Sequence, residues 1–279
     1  MSSSLLCGRF ELDLGRPLIM GIVNVTPDSF SDGAEHFEAD AAIAHGRLLA
    51  EQGADMLDIG GESTRPGAEP LSAEEELQRV LPVIEGLRSL GIPLSIDTFK
   101  PQVMRAVLGV GADMINDICG FTRPGAIEAV ADSNCGLCIM HMQGEPKTMQ
   151  ADPQYDDLLL EVQQFLHGQA RAVRVAGVSE RRIVLDPGFG FGKTQPQNYL
   201  LLRKLADLDN QGYPWLIGVS RKSMIGHIIG RAPAERVYGS VAAALAAIAR
   251  GARIIRVHDV AATSDALRVW SAVETGAYL

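Results

Sequence analysis

The sequence contains few cysteines and no long apolar run. Four cysteines in 279 residues are too few for a disulfide framework, and they favour a reducing compartment. A run of about 18 apolar residues, which a transmembrane helix requires, occurs nowhere. The start of the chain, MSSSLLCGRFELDLG, lacks the basic segment and apolar core of a signal peptide. We therefore expect a soluble, cytoplasmic protein that does not enter a membrane.

A positive net charge is also lacking. The formal net charge of −9 argues against non-specific binding to nucleic acid and to anionic membrane surfaces. An anionic small molecule stays compatible with it, because a local group of Arg and Lys side chains can override the sign of the whole chain. Apolar residues make up 47% of the chain, which is enough for the sizeable core of a globular domain.

The spacing of two motifs argues against a metal site and a nucleotide site. Cys135 and Cys138 form a CxxC, but the run CGLCIMHM predicts a strand, in which positions i and i+3 point to opposite faces. The glycine run PGFGFGKT (187–194) has Pro187 where a Walker A motif needs glycine, and it fails the GxGxxG pattern at Lys193. We expect neither a metal-binding or redox thiol pair nor a nucleotide-binding loop.

Short apolar runs alternate with amphipathic stretches along the chain. The runs are near-continuously apolar, which is typical of parallel strands covered by helices on their outer face. The eight predicted strands are 17–25, 54–60, 93–98, 112–118, 136–142, 182–187, 214–220 and 253–259. The amphipathic segments include 39–52, 72–90, 156–175, 196–206, 240–250 and 261–274.

This order predicts an α/β fold, a single-domain (β/α)8 TIM barrel over residues 1–279, since such a barrel needs about 250 residues. An open doubly wound sheet is the alternative. It would usually carry a glycine-rich fingerprint after its first strand, whereas the first strand here runs into NVTPDSFSDG.

Nearly every predicted strand ends on a polar or charged residue. A lone strand-end Asp often only caps the following helix, but the C-terminal strand ends of a barrel surround one mouth, and so many polar residues there indicate a polar site. The residues are Asn24, Glu62, Ser63, Thr64, Arg65, Asp97, Asn116, His141, Asp186, Ser220, Arg221, Lys222, Arg256 and His258.

The types of these residues indicate two kinds of ligand group. Asp97, Asn116 and Asp186 offer acceptors and one amide, which suit a flat heterocycle with NH and NH2 groups. Lys222 offers donors to a ring carbonyl or nitrogen; a Schiff-base lysine, as in barrel aldolases, is the alternative. The cationic or donor groups at the mouth suit an anion such as phosphate; they are Arg65, Arg256 and His258.

Two Gly-, Pro- and Ser-rich segments, 26–37 and 62–70, carry polar and aromatic residues near the mouth. Either could be a plain linker. As loops over the mouth they would exclude water and complete the site.

Eight strings along the chain resemble those of the dihydropteroate synthase family, in the same order and spacing, from about residue 17 to 270. They are IMGIVNVTPDSFSDG, DIGGESTRPGA, SIDTFKP, INDI, MHMQGEPKTMQ, LDPGFGFGK, GVSRKSMIG and IIRVHDV. The resemblance implies a barrel enzyme of folate biosynthesis, a transferase and sulfonamide target. It would join a dihydropterin methyl pyrophosphate to p-aminobenzoate with Mg²⁺, giving 7,8-dihydropteroate and pyrophosphate.

The resemblance also implies roles for individual residues. The pterin-binding residues would be Asp97, Asn116, Ile118, Met140, Asp186 and Lys222. The pyrophosphate would lie on Asn24, Thr64, Arg65, Arg256 and His258. The p-aminobenzoate pocket would contain Phe30, Thr64, Pro66, Phe191, Lys222 and Ser223. The metal would be bound by Asn24 and Asp32, and the catalytic set would be Asp32, Arg65, Lys222, Arg256 and His258. Without the resemblance, Ile118, Met140 and Phe191 could equally be core residues.

The implied reaction is a dissociative substitution at the pterin methylene carbon. The C–O bond to pyrophosphate breaks first, and the neutral arylamine then attacks without a dedicated general base. Phe99 and Cys119 stand where the family often has small polar residues, and we expect them to alter local packing only. The family is homodimeric through helices on the C-terminal side of the barrel, and the Ala-rich stretch 240–252 would permit close packing there.

Three other functions remain open. A methyltetrahydrofolate-dependent methyltransferase also holds a pterin in a barrel, but it commonly works with a cobalamin partner and does not need Asp32 or the SRKS string. A non-catalytic pterin-binding relative would lack the two loop segments. An aldolase would act through Lys222.

Overall fold

The computed structural model describes residues 4–25, 35–63 and 70–276. The described chain begins with an antiparallel hairpin that the sequence did not predict, formed by β1 (Ser4–Cys7) and β2 (Phe10–Asp13). Eight parallel strands follow and close into a barrel. They are β3 (Leu18–Asn24), β4 (Met56–Gly60), β5 (Leu94–Asp97), β6 (Met114–Asp117), β7 (Gly136–Met140), β8 (Ile183–Asp186), β9 (Trp215–Ile217) and β10 (Ala252–Val257).

Each predicted strand overlaps one of these eight barrel strands, and β10, which begins one residue before the predicted 253–259, closes the barrel on β3. The (β/α)8 TIM barrel is therefore confirmed, and the open doubly wound sheet is wrong.

Helices cover the outside of the barrel, and every predicted amphipathic segment overlaps one. They are α1 (Glu35–Glu51), α2 (Ala73–Leu87), α3 (Pro101–Gly109), α4 (Ala126–Val130), α5 (Leu158–Val175), α6 (Gln195–Arg203), α7 (Ser223–Ile229), α8 (Val237–Ile248) and α9 (Val260–Thr275). Within the described ranges, none of these helices has both the length and the apolar character needed to cross a bilayer.

Some helix starts are visible in the sequence as capping boxes. Ser72 and Glu75 exchange side-chain and backbone hydrogen bonds at the start of α2, and Thr194 and Gln197 do so at the start of α6. Such a box satisfies backbone N–H groups that a helix leaves unpaired in its first turn. These caps fix where α2 and α6 begin after their strands.

The apolar core has two layers because strand side chains alternate between the faces of the barrel wall. In β7, Leu137 and Ile139 pack outward against the helices, whereas Cys138 faces the barrel interior. Cys135 belongs to the outer layer, so the two thiols of the CxxC lie on opposite faces, as expected. Burial raises the pKa of both thiols above the ordinary value.

The hairpin covers the N-terminal end of the barrel. Leu5 and Cys7 are buried against the interior layer, which includes Met56 and Met114. The guanidinium group of Arg9 lies 2.9 Å from a carboxylate oxygen of Asp113, just before β6, and fixes the hairpin there. The predicted site residues, at the C-terminal strand ends, lie at the opposite end of the barrel from the hairpin.

Candidate active site

The barrel places the predicted heterocycle-binding residues at the same height along its axis, at the C-terminal ends of neighbouring strands. Asp97 pairs in register with Asn116 on the neighbouring strand, and Met140 pairs with Asp186. Each of the four is the last or next-to-last residue of its strand. Since the C-terminal ends of parallel barrel strands meet at a single mouth, the structure places these side chains around the same opening.

Arg256 lies inside this mouth, between two carboxylates. Its Nε atom donates to Oδ2 of Asp58 at 2.5 Å, and its Nη2 atom donates to Oδ2 of Asp97 at 2.9 Å. These carboxylates raise the pKa of Arg256 while burial lowers it, and the net shift is upward. Arg256, predicted as an anion ligand alone, is thus also joined to the proposed heterocycle pocket.

Asp58 is a site residue that the sequence analysis missed. It is completely buried, and its Oδ2 atom accepts a hydrogen bond from Nδ2 of Asn116 at 3.0 Å. Because a carboxylate can only accept, the atom of Asn116 that faces it must be the amide nitrogen. The amide oxygen of Asn116 is left buried with no hydrogen-bond partner among the described residues. A charged residue within the apolar strand MLDIG was the available signal.

Burial raises the pKa of both predicted carboxylates. The pKa of Asp97 rises to about 7, because the charge of Arg256 only partly offsets the desolvation of the carboxylate. The pKa of Asp186 also rises, opposed first by the charge of Lys222 and then by a hydrogen bond from Gly188 N to Oδ1 at 2.7 Å. These groups are desolvated acceptors, which bind ring N–H donors more strongly than acceptors in water do.

Lys222 faces the same pocket from the start of α7. Its ammonium group donates to the carbonyl oxygen of Phe189 and lies 4.6 Å from the ring centroid of Phe191. Burial lowers the pKa of Lys222 to about 8, and the charge of Asp186 opposes that shift. The predicted donor and the ring of the predicted arylamine pocket are therefore in direct contact.

His258 is held by the SRKS segment. Its backbone N–H donates to Oγ of Ser220 at 3.2 Å, and its Nδ1 atom lies 3.1 Å from the same oxygen. Arg221, which has a left-handed φ of 57°, forms an ion pair with Asp259. These two links join the strand end that carries Lys222 to the one that carries Arg256 and His258.

An apolar cluster borders the polar pocket. Ile118 and Met140 are buried together with Cys119, and Phe99 and Phe191 pack against them. The structure thus places the predicted pterin-facing pair in one group with Phe191. Phe99 and Cys119 belong to this cluster at the mouth, so their effect on packing extends to the lining of the site.

The remaining predicted residues are divided between described and undescribed segments. Asn24 ends β3 and is exposed. Ser223 begins α7, and its Oγ atom accepts from Nε2 of Gln195 at 3.2 Å. Glu62, a strand-end residue, forms an ion pair with Lys100. The predicted residues outside the described ranges are Phe30, Asp32, Thr64, Arg65 and Pro66.

A barrel enzyme with a pocket for a flat, donor-rich heterocycle is the class that this fold and mouth define. The sequence profile described as pterin binding enzyme matches residues 20–258 of the chain. A dihydropteroate synthase from Neisseria meningitidis serogroup B is 52% identical over 273 residues, which cover 95% of this chain and 96% of the relative.

Two solved structures share the whole fold. Burkholderia cenocepacia dihydropteroate synthase complexed with 7,8-dihydropteroate has a TM-score of 0.90 and 56% identity, covering 98% of this chain and 97% of that chain. The Yersinia pestis enzyme in a sulfonamide drug complex has a TM-score of 0.92 and 46% identity, covering 98% and 99%. The chain belongs to the dihydropteroate synthases, transferases that make 7,8-dihydropteroate from a dihydropterin methyl pyrophosphate and p-aminobenzoate. These relatives favour this activity over the methyltransferase alternative.

Proposed function

We propose that the barrel mouth performs this condensation with a definite division of roles among its residues. The single observation that carries the proposal is the set of buried acceptors on neighbouring strand ends, facing the ammonium group of Lys222. The whole chain, residues 1–279, would act as one pterin-binding barrel domain.

The pterin ring would bind through its own donors. Asp186 would accept from the ring NH and amino groups, and the amide oxygen of Asn116, fixed as an acceptor by Asp58, would take a further donor. Lys222 would donate to the ring carbonyl or nitrogen. Asp97 would complete the acceptors, and the apolar side chains at the ring faces would be Ile118 and Met140.

The pyrophosphate would lie on the side of the mouth formed by β10 and β3. Arg256 and His258 would stabilise the charge that develops on the leaving group, together with Asn24 and with Thr64 and Arg65. Arg256 already contacts Asp97, so one guanidinium group would touch both halves of the substrate site. This contact would hold the breaking C–O bond at a fixed place between ring and anion.

The arylamine would enter after or as the C–O bond weakens. The dihydropterin is electron-rich and can spread positive charge from its methylene carbon. The neutral amine of p-aminobenzoate attacks that carbon, and the proton that it loses goes to the departing pyrophosphate or to water. Phe191, Lys222 and Ser223 would form the described part of its pocket, with Phe30, Thr64 and Pro66 forming the rest. Catalysis would come from positioning and from stabilising the leaving anion, without a general base.

Magnesium fits the residues present. Mg²⁺ usually takes one or two protein oxygens and completes its shell with substrate phosphates and water. Asn24 offers one amide oxygen, and Asp32 is the second proposed ligand. In the ranges 4–25, 35–63 and 70–276, no group of three or more His, Cys, Asp or Glu could hold a metal, so the proposed ion would depend on ligands from the pyrophosphate. When bound, it would neutralise charge on the leaving pyrophosphate.

A homodimer is part of the proposal. The side chains of Val269 and Val273 on α9 are 67% and 75% exposed. They border an apolar groove with Leu245 and Trp270. Exposed apolar surface of this kind favours burial against a second copy, in agreement with the helix face that the family uses. A cytoplasmic location is proposed as well, supported by four free, buried cysteines.

One assay tests the function. The protein is incubated with Mg²⁺, a dihydropterin methyl pyrophosphate and p-aminobenzoate, and both products are quantified. We expect 7,8-dihydropteroate and pyrophosphate in equal amounts, with inhibition by a sulfonamide that p-aminobenzoate relieves. Absence of dihydropteroate, or methyl transfer from methyltetrahydrofolate in its place, would contradict the proposal.

A further inference from the structure

Lys193 follows the last glycine of the run PGFGFGKT (187–194). It has no part in the proposed reaction, yet it is almost completely buried. Only 2% of it is exposed. Its Nζ atom lies 2.9 Å from Nδ1 of His141, 2.9 Å from the carbonyl oxygen of Gly188 and 3.1 Å from that of Phe191. Three acceptors match the three hydrogens of an ammonium group. These three partners hold the buried amino group of Lys193 in one place.

His141 is the side-chain partner that fixes this arrangement. Burial lowers the pKa of Lys193 to about 7, and the charge of Asp186 opposes that shift. In its ammonium form Lys193 can only donate, so Nδ1 of His141 then accepts and the ring proton resides on Nε2. Burial and the charge of Lys193 lower the pKa of His141 to about 2, which keeps the ring neutral. The ring is packed edge-on against Phe165, with centroids 5.1 Å apart. Lys193 therefore has a rigid anchor on the end of β7.

The turn formed by Gly188–Phe191 encloses Lys193 on one side. The backbone N–H of Phe191 donates to the carbonyl oxygen of Gly188 at 3.2 Å. Gly188 has a φ of 72°, and a Cβ atom there would lie 1.8 Å from the carbonyl oxygen of His141. Glycine is thus required for the turn to approach β7 this closely.

The same turn contacts Lys222 on its other side. The carbonyl oxygen of Phe189 accepts from Nζ of Lys222, and the ring of Phe191 lies 4.6 Å from that atom. Gly188 also donates to Asp186. The turn connects the buried Lys193 with the donor and one acceptor of the proposed pterin pocket.

We infer that Lys193 is a positioning residue for the condensation: by holding the turn Gly188–Phe191, it sets where Lys222 and the Phe191 ring meet the substrates. The inference rests on the proposed function, since it concerns the pocket assigned there to the pterin and p-aminobenzoate. It predicts that loss of the ammonium group raises the KM for p-aminobenzoate. The affinity for pyrophosphate should stay the same, because the proposed anion site is formed by other strands.

Lys193→Met tests this inference because it keeps the length of the side chain and removes its donors. Arg182→Met is the matched control. Arg182 is a buried cation at the other end of β8, and its Nε atom donates to the carbonyl oxygen of Cys135 at 2.7 Å. Both variants lose donors to backbone carbonyls and should have a lower Tm. The steady-state KM for p-aminobenzoate, kcat, and the affinity for pyrophosphate with Mg²⁺ are measured below both Tm values.

We expect Lys193→Met to raise the KM for p-aminobenzoate by about tenfold or more, the loss that one charged hydrogen bond represents. Its affinity for pyrophosphate should be that of the wild type, and Arg182→Met should change neither constant. A KM within twofold of the wild type, or an equal rise in Arg182→Met, would overturn the inference. Wild-type turnover in the same experiment tests the proposed function separately.

Tyr155→Phe decides the matter if Lys193→Met does not fold. The hydroxyl of Tyr155 donates to the carbonyl oxygen of Gly192 at 2.7 Å, directly after the turn Gly188–Phe191. This milder change should raise the KM for p-aminobenzoate in the same direction, with pyrophosphate affinity unchanged. An unchanged KM in Tyr155→Phe would overturn the inference.

Discussion

At the scale of single residues, the mouth gathers two buried carboxylates and the partly buried carboxylate of Asp97 around two cations. Asp58 and Asp97 share the guanidinium group of Arg256, whereas Asp186 faces Lys222. Desolvation raises the pKa of Asp97 and of Asp186, and the neighbouring cations only partly offset that rise. The site thus keeps its acceptors poorly hydrated before any ligand binds, and this lowers the free energy of unfolding.

Replacing Asp97 tests this loss of stability through the pH dependence of the free energy of unfolding. An acid whose folded pKa is raised holds its proton more tightly when folded, so stability falls as pH rises between the unfolded and folded pKa values. For Asp97 this range runs from 3.8 to about 7. Over it, the free energy of unfolding of Asp97→Asn should fall less steeply than that of the wild type, by at most about 1.4 kcal/mol per pH unit.

Urea denaturation of the two proteins across this pH range measures the difference. Asp117 and Asp186 also have raised pKa values but are present in both proteins, so they cancel in the comparison. Equal slopes would show that Asp97 binds its proton no more tightly in the folded protein than in the unfolded chain.

The sequence could predict the residues at strand ends but not the pairing between them. Asp97, Asn116, Asp186 and Lys222 follow apolar runs, and a barrel brings such positions together whatever their distance along the chain. Asp58 lies two positions before the end of β4, and its partner Arg256 is 198 positions away. Nothing local in the sequence relates them, so their contact required the closed barrel.

At the scale of elements, the strands were predictable because most residues of each barrel strand are apolar and form a short continuous run. The hairpin β1–β2 was missed because β2, with the sequence FELD, is only partly buried and lacks the near-continuous apolar run of the barrel strands. The hairpin covers the interior apolar layer of the barrel. The local sequence pattern of β1 and β2 does not show this contact. Helices α3, α4 and α7 also lie outside the predicted amphipathic segments, and α4 and α7 have only five and seven residues.

Leu5→Ala tests the hairpin as a cover for the barrel. Leu5 is buried in the interior layer, so the substitution should lower the free energy of unfolding by about 2–5 kcal/mol. Leu6, the next residue, is less buried and belongs to the other face of β1. Leu6→Ala should therefore be the milder change. Neither variant should alter KM for the substrates at a temperature where it is folded, because the mouth is at the opposite end. Equal losses of stability would contradict this role of the hairpin.

At the scale of the whole molecule, the face formed by α8 and α9 determines the proposed assembly. Val273→Glu would place a charge in the apolar groove and should convert dimer to monomer, as measured by analytical ultracentrifugation. Val175→Glu is the control, because Val175 is 84% exposed at the end of α5, away from that face. A Val273→Glu protein with the same sedimentation as the control would contradict the proposed interface.

The central claim is that buried acceptors at the mouth bind the donors of a pterin ring, and Asp186→Asn tests it most directly. Asparagine keeps the size of the side chain and one oxygen for Gly188 N, but it removes the charge and one acceptor. A pterin without pyrophosphate is titrated calorimetrically into both proteins, so that only the ring pocket contributes. We predict a loss of about 2–3 kcal/mol in binding free energy, the contribution of hydrogen bonds to a charged group. Equal affinity of the two proteins for the pterin would contradict the account.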